Sequence, residues 1–173
     1  IIAPLFATAS DICQYQFYDA GKKVKGTYDG SVICQYGKKP LLKVNGDLKL
    51  YKVAVQQQLL TRGNLISNDS KMANATIYGD VMARHSQFTG TLIVHGNKVH
   101  LSDSITDNID IYYNGINAFP PELTLQSTIV KGNIRFFNRH GVTHIDAHST
   151  IKGTIETVRP QYHLTDLSLR ATQ

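Results

Sequence analysis

The sequence has no tryptophan, and in 173 residues it has only two glutamates, two methionines and two cysteines. Helical proteins draw heavily on Glu, Ala and Leu, so the shortage of Glu argues against a helical fold. Ile, Val and Thr together number 42, which favours strands. Charged residues are 18% and hydrophobic residues 42% of the chain, a balance that excludes a charge-swollen disordered polymer. No run approaches the roughly 20 apolar residues of a membrane-spanning helix. The Ser nucleophile elbow, the phosphate loop, the dinucleotide fingerprint and paired-Cys zinc motifs are all missing. The length fits one domain on the prior of roughly 100–200 residues, and a chain of this size buries roughly 70% of its unfolded surface.

The net charge of +5 is unevenly spread. Residues 1–60 carry eight Lys against four Asp, whereas residues 61–173 carry ten basic against nine acidic side chains. Lys22, Lys23, Lys25, Lys38, Lys39 and Lys43 form a basic N-terminal region. Such a region either meets an anionic partner, such as an acidic protein face or an anionic envelope surface, or keeps the surface solvated. Nucleic acid is not an expected partner, because Arg is sparse there and no recognition helix or RNP-type strand is written in the sequence.

Cys13 and Cys34 each open the tripeptide Cys-Gln-Tyr, and two antiparallel strands would set them side by side. A bridge there is worth about 3 kcal/mol on the loop-entropy model and implies an oxidising compartment. The alternative is two free buried thiols. Ile1-Ile2-Ala3-Pro4-Leu5-Phe6 followed by Ala7-Thr8-Ala9 resembles the end of a signal-peptide apolar region with a small-x-small cleavage site. The plainer reading of residues 1–9 is an apolar strand. Together these features set the expectation of an exported protein, periplasmic or associated with the outer membrane.

The strongest signal is a repeat: an apolar residue, Gly with one or two neighbours, a small polar residue, then another apolar residue. It occurs as Val44-Asn45-Gly46-Asp47-Leu48, Ile77-Tyr78-Gly79-Asp80-Val81, Phe88-Thr89-Gly90-Thr91-Leu92, Val130-Lys131-Gly132-Asn133-Ile134 and Ile151-Lys152-Gly153-Thr154-Ile155. Arg62-Gly63-Asn64-Leu65 is a weaker copy, and Ile105-Thr106-Asp107-Asn108-Ile109 keeps the frame with Asp for Gly. Most spacings are near one turn of a β-solenoid, whose coils bury their apolar faces only by stacking. An antiparallel sandwich with Gly-Asp and Gly-Asn hairpin turns is the competing reading. The expected fold is all-β, a solenoid of about six or seven coils behind an N-terminal Cys-bearing β-hairpin module. The expected organisation is a hairpin and disulfide module at 10–40, a solenoid at 41–158 with an aromatic loop insertion at 112–122, and a tail at 159–173.

The units around Gly46, Gly79, Gly132 and Gly153 resemble those of bactofilin-like, polymer-forming bacterial β-solenoids. That resemblance implies a scaffold without catalysis. The cysteine module, the export-like start and the aromatic insertion depart from it. An exported solenoid with a Cys-bearing cap is similar in kind to accessory proteins of the outer-membrane complex of Dot/Icm-type type IV secretion systems. The expectation is therefore a non-enzymatic subunit of an envelope or secretion assembly, bound to other protein subunits. Docking would use solenoid faces, strand edges and the loop, with Tyr112, Tyr113 and Phe119 as anchors.

Catalysis and cofactors find little support. His144, Asp146 and His148 would share one face of a strand and make a metal-ligating letter set, yet alternate residues lie roughly 7 Å apart and need a bend to converge. A polar outer face explains them as well, so no metal or other cofactor is expected. The rival functions are a glycan-binding or glycan-cleaving β-helix using Asp103, Asp107 and Asp110, and a self-polymerising filament.

Overall fold

The computed structural model describes residues 12–16, the backbone of 22–24, and residues 26–113, 115 and 119–159. Residues 1–9, Lys25 and nearly all of the 159–173 tail lie outside the described residues. The regular structure is all strand, and the strands stack as a parallel β-solenoid of about eight turns. The expected solenoid is therefore what forms, and parallel coils stacked in register exclude the competing antiparallel sandwich.

The register follows from alternating side chains, which send every second residue inward. Val32 pairs with Leu48, Leu48 with Leu65, Leu65 with Val81, Val81 with Val99 and Val99 with Leu123. All six are buried and form one inner column. A second face stacks Val55, Met72, Phe88, Thr106 and Val130. A third stacks Val44, Thr61, Ile77, Val94, Ile111 and Phe136. Each fully buried Leu, Ile or Phe contributes about 1.5–3 kcal/mol, and the column shares that burial between neighbouring coils.

Three corners join the faces. The first carries Gly46, Gly63, Gly79 and Gly96 in one column. A Cβ on Gly46 would sit 2.7 Å from the carbonyl carbon of Gly30, and one on Gly79 would sit 2.7 Å from that of Gly63. Beside them a ladder of side-chain acceptors climbs the axis. Ser31 Oγ accepts from the Asp47 amide, Asp47 from Asn64, Asn64 from Asp80, and Asp80 from Asn97 and Lys98. The second corner carries Gly90, Gly132 and Gly153, with Asn108 accepting from the Asn133 amide and Asn133 from Thr154.

The third corner has no glycine at its turning position, although Gly37 follows Tyr36 there. Tyr36, Lys52, Asp69, His85, Asp103 and Ser127 stand there with φ between 46° and 53°. Ser70, Ser86, Ser104 and Thr128 follow the last four of these and are buried. Each of their hydroxyls donates to the carbonyl two residues back. Each also accepts an amide from the preceding coil or is reached by a neighbouring hydroxyl.

Parallel stacking begins at Thr27–Tyr28, which pair with Lys43–Val44, inside the segment expected to be the 10–40 module. Within that segment, Lys22–Val24 and Thr27–Asp29 form an antiparallel hairpin that turns at Gly26, where φ is +79°. Cys13–Tyr15 runs antiparallel to Val32–Cys34, with Cys13 facing Cys34, and the two form a disulfide. The bond suggests an oxidising environment outside the cytoplasm. Among the described residues there is no helix long and apolar enough to cross a membrane.

Candidate functional site

The insertion falls at the first glycine corner. Tyr112 ends the strand Ile105–Tyr112 and Glu122 opens the strand Glu122–Gln126, so both belong to coils and the interruption is 113–121. Tyr112 is part of an outer aromatic column. Tyr78 and His95 stack with centroids 4.5 Å apart, His95 and Tyr112 at 4.8 Å, and Tyr112 and Phe137 at 4.3 Å. The register makes this column, because each ring follows the inward residue Ile77, Val94, Ile111 or Phe136. Burial between two tyrosine rings pushes the His95 pKa below its usual 6.5. Tyr113 receives a hydrogen bond from Arg139 at 3.0 Å and lies under its guanidinium. Phe119 alone of the three expected anchors stands out in solvent, 78% exposed.

Phe119 and Pro120 form one wall of a groove of about 500 Å³ whose other walls are Asp80, Asn97, Lys98, Glu122, Val142 and His144. A second cavity of about 380 Å³ adjoins it through Asp80, Lys98 and Glu122, and continues over Ile66, Met82 and His100. Met82 is 57% exposed there. His144 Nε2 lies 3.5 Å from Glu122 Oε1, and His100 Nε2 lies 3.2 Å from Gln126 Oε1. These residues come from successive coils, so the groove runs along the solenoid axis.

Asn97 is the top rung of the acceptor ladder. Lys98 pairs with Glu122, which sets Pro121 over Asn97. Proline has no N–H to donate. Asn97 Oδ1 is buried and has no hydrogen-bond partner.

The structure does not gather His144, Asp146 and His148. His144 points to Glu122, while Asp146 accepts from the Ser127 amide and the Ser149 hydroxyl. Those bonds, the Ser149 hydroxyl foremost, hold the Asp146 carboxyl below its usual pKa. His148 sits in the following turn. Among the described residues no three His, Cys, Asp or Glu side chains form a metal-holding group. Asp103, Asp107 and Asp110 are also dispersed. Asp103 lies at the third corner, 3.6 Å from His85; Asp107 pairs with Lys131; Asp110 is buried in a two-bond pair with Arg135. That pair raises the Arg135 pKa.

Of the lysines, Lys38 is exposed, whereas Lys39 donates to the Tyr28 hydroxyl at 3.3 Å. Lys22 and Lys23 lie in the first strand of the hairpin. The aromatic column and the groove were both missed in the sequence. The only signal for the first was an aromatic ring or imidazole before several corner glycines or in their place.

The two ends of the described solenoid differ. At the N-terminal end, Val32–Cys34 is covered by Cys13–Tyr15, and Lys43–Val44 is paired with Thr27–Tyr28. In the last coil, Val142–Ile145, Thr150–Ile151 and Ile155–Val158 each pair on one side only among the described residues. Ile145 and Ile155, which continue the inner columns, are 42% and 46% exposed. No protein-family model, no curated protein and no solved structure matches this chain.

Proposed function

We propose that this chain is a non-enzymatic structural subunit of an exported bacterial envelope or secretion assembly, and that its last coil holds the edge strand of another protein. The observation that carries the reading is the difference between the ends. Among the described residues the strands of the last coil pair on one side only, which offers N–H and C=O groups to an incoming strand, and Ile145 and Ile155 add apolar surface beside them. The opposite end is already covered by a strand of the same chain, bonded through Cys13 and Cys34. Head-to-tail stacking into a filament therefore meets an occupied edge at Val32–Cys34, which favours a different partner over a second copy. The exposed Lys38 and the other lysines of the first coils suit an anionic envelope surface.

The test is native co-purification from source cells of the intact protein and of Ile145→Lys and Ile155→Lys variants, with particles sized by light scattering. We expect one particle of defined composition with the intact protein, and its loss with either variant while the isolated variants keep their strand signal. A free monomer, a homodimer, fibres, or a particle that survives both substitutions would overturn the reading.

A further inference from the structure

We infer that the groove beside Phe119 binds a short neutral oligosaccharide. The groove runs along the solenoid axis and crosses the coils, whose backbone groups are already spent on neighbouring coils. An extended peptide laid along that axis finds no free ladder to pair with, so recognition falls to side chains. Those side chains suit a hydroxyl-rich ring. Phe119 offers an exposed aromatic face to C–H surface, while Asp80 and Glu122 accept hydroxyl hydrogen bonds. Lys98 and His144 donate them. The two carboxylates disfavour an anionic sugar. Coil spacing of roughly 4.8 Å lets successive rings meet successive coils. This site is separate from the last-coil docking edge and stands or falls without it.

The experiment is calorimetric titration of the full chain with maltotetraose, cellotetraose and chitotetraose. Tetragalacturonate and a proline-rich pentapeptide serve as competitors of other classes. We expect saturable binding of at least one neutral tetrasaccharide. Phe119→Ala should weaken it at least tenfold, and Glu122→Gln several-fold, with the melting midpoint of Phe119→Ala unchanged because that ring is solvent-exposed. Tyr36→Ala, on the third corner, should leave binding intact. The inference is overturned if no neutral sugar of the three binds, if binding survives both groove substitutions, or if only the anionic sugar or the peptide binds.

Discussion

Two corners of the same coil solve the same turning problem in opposite ways. At the corner of Gly46, Gly63 and Gly79 the glycines are not at positive φ; they are there because the next coil's backbone occupies the place of a Cβ. At the third corner the backbone does take the left-handed conformation, yet Lys52, Asp69, His85, Asp103 and Ser127 hold it. Each such residue costs roughly 1–2 kcal/mol relative to the right-handed region. The buried hydroxyls of Ser70, Ser86, Ser104 and Thr128 stabilise that corner from inside. Glycine in the first corner therefore marks close approach between coils, and from Asp69 onward a buried Ser or Thr marks the left-handed turn.

The largest effect should come from forcing a side chain into the glycine column. In Gly79→Ala the new methyl meets the Gly63 carbonyl carbon at 2.7 Å and its oxygen at 2.8 Å, both backbone atoms that cannot swing away. We expect a loss of about 3 kcal/mol, the upper part of the range for overpacking. Urea unfolding checks it, and a loss below about 1 kcal/mol would mean that the coils simply move apart there.

At the other corner the sensitive group is the inner hydroxyl. Ser104 Oγ accepts the Ser86 amide at 3.1 Å and donates to the Ser102 carbonyl at 2.7 Å. Ser104→Ala leaves that buried amide without an acceptor, at a cost of about 2 kcal/mol. Amide exchange at Ser86 should accelerate more than at Val94, which lies on a different face. Equal acceleration at both would show global loosening rather than a local orphan.

The coil architecture was legible in the repeat, but the corners were not. Gly46, Gly63 and Gly79 are one column, whereas Gly90, Gly132 and Gly153 are another. The short step from Gly79 to Gly90 crosses from corner to corner within a coil. Gly96 escaped the pattern because Asn97-Lys98 puts an extra polar residue before Val99. The Cys13–Cys34 bond was readable as one of two alternatives, since the antiparallel facing of the two residues follows from their spacing only if both lie on strands. The groove was not readable, because its walls come from successive coils and acquire a common side only through the register of Lys98 with Glu122 and of Glu122 with Val142.

The smallest effect tests whether the left-handed corner wants its side chains at all. Ser127 has φ of 47°, and it is its amide, not its hydroxyl, that bonds Asp146. Replacing it by Gly removes about 1 kcal/mol of left-handed strain. The greater freedom of Gly in the unfolded chain takes back roughly half of that. Ser127→Gly should therefore gain about 0.5 kcal/mol, and Ser127→Ala should gain nothing, because alanine keeps the Cβ and hence the strain. Paired urea titrations of the two variants separate the cases. A stabilised glycine variant beside a neutral alanine variant would mean that this corner tolerates its side chains while the Gly79 corner forbids them. A destabilised glycine variant would mean that the exposed positions of the left-handed column contribute packing of their own, and the contrast between the corners would then be one of degree.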